Sequence, residues 1–179
     1  MEAVLSSTEV DSGGLTAEEL CRRYAPSVCR FAGMIASSST EADDLAQDAL
    51  LRAVRAVRSY DSARGTAEAW LWRIVVNSAR DSARRRERAR NLFGRLSFMA
   101  PRESESVEDA VLTRLRDADL HAHIRLLSLR DRMLLALRYG AGLETAEVGA
   151  AVGLNSDSAG KAIRRALGRL RARLEVSHR

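Results

Sequence analysis

Apolar residues recur every three to four positions along almost the whole chain, and no stretch of useful length alternates with the period of two that a half-buried strand requires. That property predicts an all-α fold. Three helix starts are marked by a hydroxyl three residues ahead of a carboxylate, at Thr16-x-x-Glu19, Thr40-x-x-Asp43 and Ser128-x-x-Asp131. Such pairs satisfy the free N–H groups of a first turn. They place helices from about 17, 41 and 129.

The breaks divide these helices into two groups. The first helix runs to about Ala36 and stops at Ser37-Ser38-Ser39. The second runs to about Arg58 and is followed by a turn-rich loop ending at Gly65. A third starts near Ala67 and continues through Trp70, Leu71, Ile74 and Val75 into an arginine-rich end. Residues 91–107, with Gly94, Pro101 and three serines, carry no sustained period and read as a linker. Further helices are expected over Leu129–Tyr139, Glu144–Val152 and Ser156–Leu174, with breaks at 140–142 and at Gly153-Leu154-Asn155. The expected organisation is therefore a disordered extension over 1–14, a helical domain over 15–90, a flexible linker over 91–107 and a second helical domain over 108–176.

Several classes of function are disfavoured. No run approaches the roughly 18 apolar residues of a membrane span, and the acidic start lacks the basic and apolar parts of a signal peptide. A cytoplasmic protein without membrane insertion is expected. Cys21 and Cys29 have no nearby histidine and read as buried thiols, while His121 and His123 point about 200° apart on a helix and cannot share a metal. Phosphate loops, nucleophile elbows and HExxH pairs are absent. We expect no catalytic residue, no metal and no cofactor.

The formal charge of +5 on 179 residues hides an uneven distribution. Residues 80–90 hold six arginines against two acids, 161–173 hold six bases and no acid, and 101–120 between them hold six acids against three arginines. Two basic blocks on helices favour a nucleic-acid partner. Between the last two expected helices, a glycine-centred turn joining two short amphipathic segments has the form of a DNA-binding helix-turn-helix. Gly153 supplies the left-handed turn and Asn155 the cap, while Val148, Val152, Leu154, Ile163 and Leu167 supply apolar anchors. Ser156, Asp157, Ser158, Lys161, Arg164 and Arg165 are then placed for duplex DNA, with Arg169, Arg171 and Arg173 extending the positive surface.

In the first group, Asp43, Asp44, Gln47 and Asp48 fall within little more than one turn, which suits a helix N-terminus and is also compatible with a plain solvated face. On the next helix Arg73, Asn77, Arg80, Arg84 and Arg88 form one stripe, opposite Leu71, Val75, Val76 and Ala79. With the preceding loop of Tyr60, Arg64 and Thr66, that stripe suits a strand whose phosphates follow the helix while the loop handles a base.

The order of these parts resembles a known family. DDLAQDALLRAVRAVRSYDSARGTAEAWLWRIVVNSARDSARRR at 43–86 resembles region 2 of bacterial RNA polymerase sigma factors, and LLSLRDRMLLALRYGAGLETAEVGAAVGLNSDSAGKAIRRALGRLR at 126–171 resembles their region 4. A short tether between them is similar to the extracytoplasmic-function (ECF) subgroup. The resemblance implies that Asp44, Gln47 and Asp48 dock on the clamp helices of the large subunit of core polymerase, whose flap is a further contact. It implies that the Tyr60–Thr66 loop captures a flipped base of the melted -10 element, with Asn77, Arg80, Asp81 and Arg84 following that strand, and that 156–165 read the -35 duplex. Gly160 and Ala162 depart from the basic residues usual there, and Gly149 stands where the turn customarily has alanine. In the family the tether threads the RNA channel, where Glu103, Glu105, Glu108 and Asp109 would mimic phosphates.

The resemblance thus implies a promoter-specificity subunit with core polymerase and promoter DNA as partners, and leaves room for an anti-sigma factor. An autonomous helix-turn-helix regulator, binding duplex alone as a dimer, is the alternative from the residues alone. An enzyme acting on nucleic acid lacks a nucleophile or a metal site.

Overall fold

The computed structural model describes residues 15–96 and 120–177, which are helical with no strand. The first bundle contains α1 (Ala17–Ile35), α2 (Ser39–Ala56) and α3 (Ala67–Leu96), with short 3-10 turns at Val57–Ser59 and Ser62–Arg64 between the last two. Thr16 caps α1 as its spacing predicts, its side chain accepting the Glu19 N–H at 3.1 Å. The cap of α2 is Ser38 and not Thr40. Ser38 Oγ accepts from Glu41 N at 3.2 Å, and the Glu41 carboxylate accepts from Ser37 N at 3.0 Å. Ser38 and Glu41 have the same spacing as Thr40 and Asp43, and Glu41 gains Arg86 of α3 as an ionic partner.

Leu20, Tyr24, Val28, Phe31 and Ile35 form the buried stripe of α1, facing Leu71, Trp72, Val75, Val76 and Ala79 of α3. The Phe31 and Trp72 rings meet edge to face at 5.7 Å, a geometry favoured by their quadrupoles. Cys21 is half-buried, but Cys29 is exposed, contrary to its expected burial. It follows Val28 by one residue, about 100° off the stripe that packs.

The second bundle contains α4, described over 120–125, then α5 (Leu129–Leu135), a π-helical turn (Ala136–Gly140), α6 (Thr145–Val152) and α7 (Ser156–Ser177). Ser128 caps α5 by accepting from Asp131 N. Asp131 is buried and receives two bonds from Arg169 of α7, at 2.6 and 2.9 Å. Burial alone would raise its pKa, but bonds from Arg169 and Ser128, with the charges of Arg169 and Arg130, hold it below the usual aspartate value.

Two features differ from the sequence reading. First, α3 continues to Leu96, into the stretch read as linker, while residues 97–107, with Glu103 and Glu105, and also Glu108 and Asp109, lie outside the described residues, as do 1–14. Second, the two bundles are packed together. Phe31, Ile35, Met133, Leu137 and Val148 belong to one apolar cluster, and α3 lies against α6.

Three arginines stitch this seam. Arg30 Nε donates to the Gly140 carbonyl at 2.9 Å, Arg132 to the Ile35 carbonyl at 3.0 Å, and Arg125 to the Ser37 carbonyl at 2.8 Å. Arg30 and Arg132 meet carbonyls at the end of a helical segment in the other bundle, where unpaired acceptors and the negative dipole end coincide, and Arg125 meets one in the α1–α2 connection.

Candidate nucleic-acid interface

Of the α3 stripe, Arg73, Asn77, Arg84 and Arg88 are exposed, whereas Arg80 is half-buried where α3 meets the second bundle. There it lines a cavity of about 260 Å³ with Arg130, Met133, Leu134, Val152 and Leu154. Asp81, beside Arg80, also joins α3 to α2. Its carboxylate accepts from Arg52 of α2 at 3.0 Å, and that bond holds its pKa below the usual range. Arg52 also donates to Asp48 at 3.1 Å, so one guanidinium ties α2 to α3 through two acids.

The loop before α3 is shaped by its own side chains. Tyr60 donates its hydroxyl to the Gly65 carbonyl at 3.2 Å, and its ring lies 5.6 Å from that of Trp70. Asp61 accepts from Ala63 N, and Gly65 has φ +142°, a region closed to most side chains. Thr66 caps α3, its hydroxyl accepting from Ala69 N at 3.2 Å. Tyr60 and Thr66 thus set the loop, and Arg64 is left exposed at its tip.

On α2, Asp44 and Gln47 are exposed, and with Asp48 they line a groove of about 680 Å³ between α2 and α3. Leu51, 46% exposed, supplies its apolar wall and Arg85 its far side. A groove with an apolar wall and an acidic rim is suited to a helix carrying basic residues.

The turn between α6 and α7 has the geometry its residues predict. Gly153 sits at φ +81°, Leu154 N donates to the Gly149 carbonyl at 2.8 Å, and Asn155 Oδ1 accepts from Ser158 N at 2.8 Å. Ser156, Asp157, Ser158, Lys161, Arg164 and Arg165 are all exposed, with 157, 161 and 164 on one face. Gly160 faces Thr145 of α6, and Ala162 packs against the apolar cluster, so the two departures from basic residues lie off the fully exposed face. Gly149 has a steric reason: a Cβ there would stand 2.6 Å from the Leu154 carbonyl oxygen. Arg169 is bound to Asp131 and remains half-exposed.

Sequence reasoning missed Arg52 and the Asp131–Arg169 pair. The four-residue spacing of Asp48 and Arg52 on one helix was a visible signal, but contacts across helices had none. Among the described residues no group of three His, Cys, Asp or Glu is placed to hold a metal, and no helix is long and apolar enough to cross a membrane.

Two helical bundles, one with an arginine-striped helix behind a structured loop and one with a helix-turn-helix, define a DNA-binding transcription protein. Residues 20–89 match the sigma-70 region 2 family. The chain is 30% identical to the ECF RNA polymerase sigma factor SigE of Mycolicibacterium smegmatis, over 94% of this chain and 65% of that protein. It is 28% identical to the RNA polymerase sigma factor CnrH of Cupriavidus metallidurans, over 88% and 84% of the two chains. The sigma factor RpoE of Bartonella quintana, solved in complex with the anti-sigma factor NepR, has the same fold, with a TM-score of 0.71, 24% identity and coverage of 89% and 96%. The chain belongs to the RNA polymerase sigma factors of ECF type, a family of transcription initiation.

Proposed function

We propose that the chain brings core RNA polymerase to a set of promoters, reading the -35 element as duplex with α7 and holding the melted -10 strand on α3. The observation that carries this reading is the coexistence, in a region 2 match, of an exposed Arg73–Asn77–Arg84 stripe and a loop braced by Tyr60 and Thr66. Flipping a base costs a few kcal/mol of stacking, and a pocket beside a line of phosphate contacts offsets it. Asp44, Gln47 and Asp48 form the acidic rim offered to core polymerase.

The two reading surfaces serve one promoter only when the seam opens. Elements named for positions about 25 base pairs apart are separated by roughly 85 Å of duplex at ~3.4 Å per step. A compact chain of this length has a radius of gyration of only about 16 Å. The packed form is thus the form off the promoter, and core polymerase is the partner that holds the bundles apart. An anti-sigma factor is the corresponding partner for the packed form, a reading supported by the complex of RpoE with NepR.

Binding of purified chain to purified core polymerase, then to a duplex promoter fragment with and without core, tests this reading. Tight promoter binding is expected only with core. Tight symmetric binding to duplex by the chain alone would instead indicate an autonomous regulator.

A further inference from the structure

Between the second half of α3 and the corner of α4 and α5 lies an open cleft of about 980 Å³. Arg80, Arg84, Arg86 and Arg90 enter it from α3, and Arg125 and Arg132 from the second bundle. Among the described residues the acids there are Glu41 and Glu87, and each already has an arginine: Glu41 pairs with Arg86, and Glu87 with Arg90 at 2.8 Å. Arg80, Arg125 and Arg132 have no carboxylate partner among the described residues. Arg132 Nε is buried and has no hydrogen-bond acceptor. We propose that this cleft binds an oligophosphate anion, gripped from both bundles at once.

The chemistry selects that class. Guanidinium forks match phosphate oxygens in pairs, and several forks on opposite walls call for a ligand with more than one phosphate group. The volume is far larger than a single phosphate needs and lies within the range of nucleotide-sized sites. Among the described residues, the apolar lining is limited to Leu129, Ala83 and Ala89, and the arginines carry the recognition. The arginines also repel one another: burial lowers the pKa of Arg86, and the neighbouring Arg132 and Arg90 lower it further. An anion relieves that repulsion only while the bundles stay together. Where the -10 assignment of Arg80 and Arg84 holds, the bound anion and the promoter strand compete for them; the binding itself does not rest on that assignment.

The test uses the full chain without core or DNA, in magnesium-free buffer. Titration with tripolyphosphate, followed by calorimetry and thermal unfolding, is expected to give saturable binding and a raised Tm that sodium chloride of equal ionic strength does not reproduce. The Arg125→Gln/Arg132→Gln variant should bind at least about tenfold more weakly. Arg90→Gln, on the exposed rim and away from the seam bonds, should also weaken binding and keeps the test valid should the double variant misfold. ATP binding as tightly as tripolyphosphate would make the phosphates of a nucleotide a source; tripolyphosphate binding with ATP excluded would make it a free inorganic chain. Absence of saturable binding beyond the chloride control, or unchanged affinity in Arg90→Gln and the double variant, overturns the proposal.

Discussion

Arg30 on the first helix donates its Nε–H to the carbonyl of Gly140, 110 residues later, at 2.9 Å. The bond is possible because position 140 has no side chain: a Cβ there would stand 2.8 Å from Met34 Sδ and 3.4 Å from the Arg30 carbonyl oxygen. One glycine therefore sets how closely the two bundles approach.

Gly140→Val should wedge that seam open. Overpacking a close contact costs about 1–3 kcal/mol, and the packed form can shed it by separating into two bundles. Small-angle scattering is expected to show a larger radius of gyration with helical content retained. An unchanged radius would mean that the seam absorbs the methyl groups and that Gly140 does not limit the approach.

Two glycines of the helix-turn-helix should respond in opposite directions to alanine. At Gly160 a Cβ meets Thr145 at 3.5 Å and Arg164 at 3.6 Å, ordinary contact distances. Gly160→Ala should therefore stabilise the second bundle by about 0.5–1 kcal/mol. Gly149→Ala must displace the Leu154 carbonyl, which is backbone and cannot swing aside, and should destabilise it. Thermal unfolding of both variants checks the pair.

Asp131 gives the second bundle an acid-sensitive brace. Its carboxyl is held below the ordinary aspartate range, so the folded chain binds fewer protons there than the unfolded chain does. The stabilisation is complete above the unfolded carboxyl's pKa of about 3.9 and is lost as pH falls through the lower folded value. Asp131→Asn should lower stability at neutral pH by about 1–2 kcal/mol, near the lower end for a charged hydrogen bond because Arg169 is half-exposed and can turn to water. Denaturant melts from pH 7 to pH 3 should show the two proteins converging as the pH drops.

Asp44 and Asp48 should separate docking from folding. Asp44 is exposed, while Asp48 shares Arg52 with Asp81. Asp44→Arg is expected to weaken binding to core polymerase tenfold or more with no change in Tm; one buried interfacial charge contact is worth about 2 kcal/mol or more. Asp48→Arg should weaken binding and also lower the Tm, because it places a second guanidinium beside Arg52. Unchanged core affinity in Asp44→Arg would remove α2 from the docking surface.

Much of this architecture could be read along the chain. Helical spacing, Thr16 and Ser128 as caps, the Gly153 turn with Asn155 and the exposed face of α7 are local properties, and local geometry follows from short-range residue order. Ser38, and not Thr40, caps α2, and Glu41, the acid three residues after it, has its ionic partner Arg86 far along the chain. Asp81 and Arg169 likewise have ionic partners, Arg52 and Asp131, that lie 29 and 38 residues away along the chain and leave no local signal. The packing of the two bundles was the least legible feature. Met133 and Leu137 carry the spacing of any buried helix face, and nothing in that spacing tells whether the surface they meet belongs to their own bundle or to the other.

The most direct measurement is transcription in vitro from a promoter library, using core polymerase with and without this chain and mapping the transcript starts. The account predicts new, chain-dependent starts whose upstream sequences share two elements, one at -10 and one at -35, and their loss with Arg73→Ala/Asn77→Ala/Arg84→Ala. The same starts with core alone, or no binding of the chain to core, would contradict it.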